Sequence, residues 1–251
     1  MNGYRHNGER ARIAIILFVT LFATMVAAIA TQLWQLSIVV AYDNGTADSA
    51  QLTLSDSVVR IPAIAYTIIF ILCTIYFIRW FRRAYNNYIQ LNPGAASFTE
   101  GWAAGAWFVP FTNLVRPYRI MQELWHGTLK LLSGNGAGDY PSTLIGAWWL
   151  TWLLYNFVSS TGNRLKMYMT TIDSIKTAIL VEVVGDIIGL VSLIFIILLV
   201  RSYAELEKRV EEAISLPQDS IFALNTNVAY YQSGQPLNEN HTNNNGTVSN
   251  E

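Results

Sequence analysis

Residues 13–40 read IAIILFVTLFATMVAAIATQLWQLSIVV, a run of 28 residues without a charge. A helix needs about 20 mostly apolar residues to cross a hydrocarbon core of about 30 Å, so this run is long enough to span a membrane. Arg5, Arg10 and Arg12 precede it, and Ala28-Ile29-Ala30 resembles a cleavage site, so a cleavable signal peptide is the alternative interpretation. The apolar core of a signal peptide is only about 7–15 residues long. We therefore predict a retained transmembrane helix.

The composition of the whole chain also favours a membrane protein. Of the 251 residues, 52% are hydrophobic and 13% are charged, with a mean hydropathy of +0.30. A soluble domain carries about 25% charged residues. The formal net charge of −1 gives no overall attraction to nucleic acid. Cys73 is the one cysteine in the sequence, which excludes an internal disulfide and a multi-cysteine metal site.

Three further segments are predicted to cross the membrane, at about 58–78, 143–158 and 178–200. Pro62 falls in the first turns of the predicted second span, where proline is tolerated. The fourth span contains two acids, Glu182 and Asp186. Each apolar residue contributes about −0.3 to −0.6 kcal/mol to insertion and a central acid costs about 2.5–3.5 kcal/mol, so the apolar majority outweighs both acids.

Residues 102–115, WAAGAWFVPFTNLV, are apolar but short, and Pro110 and Asn113 interrupt them. With four spans and a cytoplasmic N-terminus, 12 of the 16 basic residues lie on the inner side and 4 on the outer side. Treating 102–115 as a fifth span reduces this split to 9 against 7. The positive-inside rule therefore favours four spans with both termini in the cytoplasm. We predict that 102–115 forms a re-entrant or interfacial half-helix, whose broken backbone must be covered by protein.

The predicted organisation is an all-α integral membrane protein with cytoplasmic helical extensions. Residues 1–12 form the cytoplasmic N-terminus, 13–216 the membrane domain with an interfacial region at 102–132, and 217–251 an Asn-rich tail predicted to be disordered. Loops at 41–57 and 159–177 are predicted to lie outside.

Three helical segments are predicted on the cytoplasmic side, one of which is the extension of the fourth span over 201–216. The second span should continue as helix to Leu91, where Asn92-Pro93-Gly94 stops it. A helix over about 116–132 has a basic face and an apolar face. This pattern is typical of a helix in the membrane interface, although packing against the other cytoplasmic helix ends explains it equally well.

Glu182 and Asp186 are the strongest candidates for chemistry, because they are i and i+4 on one helix face inside a span. Two neighbouring acids can share a proton or relay a cation. The structural alternative is that Lys176 neutralises Glu182 near the outer surface, while Asp186 bonds a neighbouring backbone or hydroxyl group. Small residues on or beside this face, such as Gly185 and Gly189, favour that alternative, since they allow close helix packing.

No other pattern predicts catalysis, a cofactor or a metal. His6, His126 and His241 are too scattered for a metal site, and Ser159, Ser160 and Cys73 have no neighbouring histidine base. The aromatic group in the third span favours interface anchoring or close packing over a ligand pocket; its members are Trp148, Trp149, Trp152 and Tyr155. Topology and anionic lipid account for Arg79, Arg82 and Arg83, and no motif for nucleic acid is present.

The central segment resembles a known family. It reads GWAAGAWFVP over 101–110, followed by Asn113-Leu114 and Arg116-Pro117-Tyr118. Flanking motifs agree: RWFRRA at 79–84, QELW at 122–125 and GAWWLTW at 146–152. Over roughly 60–205 the sequence is similar to a bacterial family of multi-span membrane proteins defined only as a domain of unknown function. The resemblance implies a bacterial inner membrane and supplies no activity or catalytic residue.

We therefore expect a non-enzymatic membrane component that binds lipid headgroups or a partner protein. Its candidate binding residues lie in the interfacial region: Trp102, Trp107, Arg116, Arg119 and Trp125. Trp102 and Trp107 are predicted anchors at headgroup depth, and Arg116 and Arg119 are suited to phosphate groups. A second copy of this chain or a membrane partner protein is the alternative partner. The alternative function is a small transporter or channel subunit that uses Glu182 and Asp186 for ion or proton coupling.

Overall fold

The computed structural model describes residues 4–133 and 143–215. Within these ranges the chain forms six α-helices, one 3₁₀ turn and no strand. The helices are α1 (Gly8–Asp43), α2 (Ser49–Leu91), α3 (Glu100–Gly105), α4 (Arg116–Ser133), α5 (Thr143–Met167) and α6 (Ile172–Ser215), and the 3₁₀ turn is Thr112–Leu114. The chain divides into two units, Met1–Glu211 and Glu212–Glu251, and the described part of the second unit is the last turn of α6. The predicted tail at 217–251 lies outside the described residues.

Three of the helices within the described ranges, α1, α2 and α6, are long and apolar enough to cross a membrane. They contain the predicted spans 13–40, 58–78 and 178–200. The helix α5 contains the predicted span 143–158 but is not one of these three, so a crossing by 143–158 stays a prediction.

The helix α2 begins earlier than the apolar pattern predicts. Asp48 caps it by accepting a hydrogen bond from the backbone N–H of Gln51, and the Gln51 side chain accepts one from the Asp48 backbone N–H in return. Pro62 consequently lies in the helix interior, not in the first turns. The predicted loop at 41–57 is reduced to residues 44–48. At its other end α2 stops at Leu91, as the Asn92-Pro93-Gly94 sequence predicts.

The core is built from large aromatic side chains of α2 that pack between α1 and α6. Trp80, Phe81 and Tyr85 are fully buried. The rings of Phe77 in α2 and Phe18 in α1 meet edge to face with centroids 5.9 Å apart, and Trp80 meets Tyr203 of α6 at 5.9 Å. Such pairs add about 0.5–1.5 kcal/mol beyond the area that they bury.

The predicted interfacial region, 102–132, contains two helices separated by irregular backbone. It consists of α3, an irregular segment with the 3₁₀ turn, and α4. Ile120, Met121 and Leu124 of α4 are fully buried, so the apolar side of this helix packs against protein, which is one of the two alternatives that its pattern allowed. A re-entrant path of 102–115 through lipid stays a prediction.

Candidate functional site

Two of the predicted binding residues, Arg116 and Trp102, are in direct contact. The guanidinium carbon of Arg116 lies 3.7 Å from the ring centroid of Trp102 and 5.5 Å from that of Phe98. A guanidinium over an aromatic face is attracted by the ring electrons, and this attraction strengthens when water is excluded. Arg119 is exposed on the next turn of α4. The contact joins the start of α4 to α3.

The segment between α3 and α4 exposes large apolar side chains. Phe108 is 72% exposed and Phe111 is 85% exposed. Phe111 has a φ of 62°, in the left-handed region that bulky residues rarely adopt. An exposed aromatic segment that leads into a helix with Arg116 and Arg119 in its first turn suits the boundary between acyl chains and headgroups. We call Trp102, Phe108, Phe111, Arg116 and Arg119 the interfacial surface.

The other two predicted tryptophans lie among protein side chains. Trp107 is surrounded by rings of α2 and α5, with centroid distances of 5.5 Å to Phe77 and 5.9 Å to Trp152. The ring centroid of Trp125 lies 6.4 Å from that of Tyr203 in α6. Both indole N–H groups are buried without an acceptor among the described residues. The part of these two residues in lipid or partner binding stays a prediction.

An apolar cavity of about 210 Å³ lies between α1, α2, α5 and α6. The aromatic group of the third predicted span contributes Trp148, Trp152 and Tyr155 to its lining. The hydroxyls of Tyr66 and Tyr155 form one hydrogen bond of 2.6 Å, in which either oxygen can be the donor. The remaining lining is mainly apolar, so the cavity suits a short hydrocarbon group. These aromatic residues therefore pack closely and line a cavity at the same time.

The two acids of α6 have different partners. Glu182 forms an ion pair with Lys166 of α5. Lys176 does not take this role, contrary to expectation: its ammonium lies 2.6 Å from Asp43 of α1. Six positions along a helix rotate the side chain by about 240°, which turns Lys176 away from Glu182.

Asp186 is bonded to a neutral group. Nε2 of Gln32 in α1 donates to Oδ2 of Asp186 at 3.0 Å, where a backbone or hydroxyl donor was expected. A Cβ added at Gly189 would lie 2.9 Å from Met25 and 3.0 Å from Tyr155, so this glycine lets α1 and α5 approach α6 closely, as its small size predicts.

A buried polar cluster was missed by the sequence reasoning. Glu207 of α6 accepts hydrogen bonds from Nδ2 of Asn7, at 3.2 and 3.0 Å, and from Nδ2 of Asn87, at 3.4 Å. Asn87 also bonds both backbone groups of Arg5, accepting from its N–H at 3.1 Å and donating to its carbonyl at 2.8 Å. The available signal was that Glu207 follows the apolar position Tyr203 by four residues, on the inward face of the helix.

A basic pocket of about 470 Å³ was also missed by the sequence reasoning, which considered the N-terminal arginines and those of α2 only separately. Its lining, which we call the arginine pocket, consists of Arg5, Arg10, Arg79, Arg82, Arg83, Asn86, Gln90 and Glu100. The α2 members recur every three or four residues and so share one helix face. Arg82 lies 2.8 Å from Glu100, which also accepts from Asn86 at 3.0 Å. Five arginines against one glutamate leave an excess of four positive charges in this lining.

The helices and these sites define an all-helical protein with helices of membrane-spanning length. Within that class, the chain belongs to the family described as Domain of unknown function (DUF4328), whose model matches residues 43–205. Neither the curated proteins nor the solved structures include a significant match. The matched region contains the interfacial surface, Glu182 and Asp186 of α6, and the α2 part of the arginine pocket.

Proposed function

We propose that this protein is a non-enzymatic component of the bacterial inner membrane that binds anionic lipid headgroups through the interfacial surface. The proposal includes four spans, formed by α1, α2, α6 and the apolar part of α5, with both termini in the cytoplasm. The distribution of 12 basic residues against 4 supports this orientation. It places the interfacial surface on the cytoplasmic side, where anionic lipids attract basic side chains.

The observation that carries the proposal is the contact between Arg116 and Trp102, which joins two helices whose connecting segment exposes Phe108 and Phe111. Phe108 and Phe111 supply apolar area that is more stable in acyl chains than in water. Arg116 and Arg119, in the first turn of α4, supply positive charge that suits phosphate groups. Trp102 limits the freedom of the Arg116 guanidinium, which reduces the entropy lost when it binds a phosphate.

Lipid enrichment around the full-length protein tests the proposal. The protein is placed in nanodiscs of phosphatidylcholine mixed with phosphatidylglycerol, and the lipids retained after dilution are measured by mass spectrometry. We expect Arg116→Glu/Arg119→Glu to abolish the enrichment of phosphatidylglycerol. The matched control is Arg201→Glu/Arg209→Glu, which makes the same change in charge on exposed positions of α6.

Equal enrichment in the wild type and the Arg116→Glu/Arg119→Glu variant would disprove the lipid proposal. If the same variant instead lost a co-purifying protein, or the self-association of this chain, the interfacial surface would be a protein-binding surface.

A small transporter or channel subunit is the second candidate function. The observation in its favour is that Asp186 is bonded to a neutral amide within the predicted fourth span. The ion pair between Glu182 and Lys166 favours a structural role for the other acid. Proton or cation flux into liposomes tests this candidate: a flux that Glu182→Gln/Asp186→Asn abolishes, with folding intact, would replace the lipid proposal.

A further inference from the structure

The arginine pocket concentrates positive charge beyond what membrane topology requires. The positive-inside rule asks only that basic residues lie on one side, and solvated arginines pointing in any direction would satisfy it. Here five of them converge on one cavity of about 470 Å³ from two separate parts of the chain. Like charges held together repel one another, and an anion bound between them would reduce this repulsion.

Hydrogen bonds fix the N-terminal segment on α2, and they position Arg5 and Arg10 at the pocket. Asn87 bonds both the N–H and the carbonyl of Arg5. Asn7, two residues later, is buried and donates to the carbonyl oxygen of Trp80 at 3.3 Å and to Glu207. Arg5 and Arg10 flank this anchored residue, so their backbone is positioned before any ligand arrives. A preorganised site loses less entropy on binding.

The charges within the pocket are only partly balanced by its own lining. Glu100 pairs with Arg82 and also accepts from Asn86. Burial lowers the pKa of Arg83, and the positive charges of the neighbouring Arg10 and Arg5 lower it further. A bound anion would relieve this repulsion. Asn86 and Gln90 line the same cavity and offer neutral hydrogen-bonding groups.

We propose that the arginine pocket is a binding site for a phosphate-bearing anion with two or more negative charges. Guanidinium groups match phosphate oxygens with paired, charge-assisted hydrogen bonds, and several arginines favour a multiply charged group over a single carboxylate. The cavity volume exceeds that of one phosphate and falls within the usual range for small-ligand sites. The anion is either the headgroup of a diphosphate lipid or a soluble phosphate compound. The site uses other residues than the interfacial surface and does not depend on it.

The test measures two ligands on the full-length protein. Pyrophosphate binding to the detergent-solubilised protein is measured by calorimetry, and cardiolipin enrichment is measured in nanodiscs of phosphatidylcholine with cardiolipin. The variant is Arg79→Gln/Arg83→Gln, which keeps the Arg82–Glu100 pair. The matched control is Arg201→Gln/Arg209→Gln, which removes the same charge from exposed positions outside the pocket.

We expect Arg79→Gln/Arg83→Gln to lower the affinity for the ligand about tenfold or more, since charge-assisted hydrogen bonds contribute to binding on that scale. The control should stay within about twofold of the wild type. Loss of pyrophosphate binding identifies a soluble anion, and loss of cardiolipin enrichment alone identifies a lipid headgroup. Absence of binding in both arms, or equal binding by the wild type and the pocket variant, overturns the proposal.

The same measurements separate this site from the interfacial surface. In the Arg116→Glu/Arg119→Glu background, Arg79→Gln/Arg83→Gln should still lower the affinity for the ligand by the same factor. If the interfacial variant alone accounts for all anion binding, the arginine pocket is not a site and the proposed function stands. Thermal unfolding of each variant checks that the fold is retained.

Discussion

The side-chain nitrogen of Asn7 lies 3.2 and 3.0 Å from the two carboxylate oxygens of Glu207, across 200 residues of sequence. Asn7 is 1% exposed and Glu207 is 6% exposed. Together with Asn87 of α2, this contact joins the N-terminal segment, α2 and α6 at one point. A buried carboxylate is costly unless its oxygens are hydrogen-bonded, and two amides perform that task here. Four predictions follow from this cluster and from the helix contacts around it.

Stability should decrease as the pH rises towards neutrality. Glu207 lies beyond the apolar segment 178–200, and burial raises its pKa from the usual 4.5 to about 7, a shift that the amides of Asn7 and Asn87 partly oppose. Among the facing charges, Glu211 raises this pKa further and His6 lowers it. The folded state therefore holds the proton more tightly than the unfolded state. Stability is greatest below the unfolded pKa and is lost as the pH rises through the folded pKa. We expect the Tm to fall over this interval.

The variant Glu207→Gln should remove most of this pH dependence. A neutral amide is close in size to the carboxylate, and its oxygen can still accept from Nδ2 of Asn7 and of Asn87 at the position of Oε1. Glu205→Gln is the matched control, since Glu205 is exposed on the same helix. Parallel Tm profiles for the wild type and Glu207→Gln would show that another group causes the dependence.

The second prediction concerns the anchor of the N-terminal segment. Asn87→Ala removes both hydrogen bonds to the backbone of Arg5. We expect faster amide hydrogen exchange over residues 4–7 and a loss of about 1–3 kcal/mol in unfolding free energy, because Glu207 also loses a donor. Asn86→Ala is the neighbouring control, since Asn86 bonds Glu100 instead. Equal exchange in both variants would contradict the role of Asn87.

The third prediction tests the contact between α2 and α4. A Cβ added at Gly127 would overlap the ring of Tyr88, which is 4% exposed and has little room to move. We expect Gly127→Ala to destabilise the protein by about 1–3 kcal/mol through overpacking. Gly146→Ala is the control, because the nearest atom to its added Cβ is Tyr118 Oη at 4.0 Å and alanine favours the helix. An unchanged unfolding free energy in Gly127→Ala would mean that α4 does not pack against Tyr88.

The fourth prediction concerns the ion pair between α5 and α6. Lys166→Met leaves Glu182, whose side chain is 17% exposed, without its cation, while Lys176→Met breaks only the contacts to Asp43 and Asp173. We expect a coupling of about 1 kcal/mol between Lys166→Met and Glu182→Gln in a double-mutant cycle, since the lysine is partly exposed. Lys176→Met should show no coupling to Glu182→Gln. The reverse result would restore the pairing expected from the sequence.

The helices were largely predictable because their signals are local. Lipid selects long uncharged runs, so 13–40, 58–78 and 178–200 fall inside helices of spanning length. The end of α2 at Leu91 follows from Asn92-Pro93-Gly94, and the helix over 116–132 follows from its apolar period. The early start of α2 was missed because a polar capping box, not hydrophobicity, begins that helix.

The candidate sites were only partly predictable, because their members are distant in sequence. Arg116 and Trp102 were singled out by residue type and by their place near a broken helix, and the structure brings them together. For Glu182 the sequence pointed to the nearest lysine along the helix, whereas the actual partner comes from α5. The direction of a side chain around a helix, and the neighbouring helix that it meets, depend on packing.

Local sequence was thus sufficient to predict which segments form apolar helices. The length of an uncharged run and its periodicity are both properties of a single stretch of chain. Only the tertiary structure decided which polar groups meet. Asn7, Asn87 and Glu207 come from three segments and are unremarkable individually, yet burial makes each depend on the others for hydrogen bonds. The uncharged run 13–40 contains Gln32, which donates a hydrogen bond to Asp186 of α6. Arg5 and Arg10, which precede this run, line the arginine pocket on α2. The hydrophobicity of the run determines that it forms a helix, and its few polar positions determine where that helix packs.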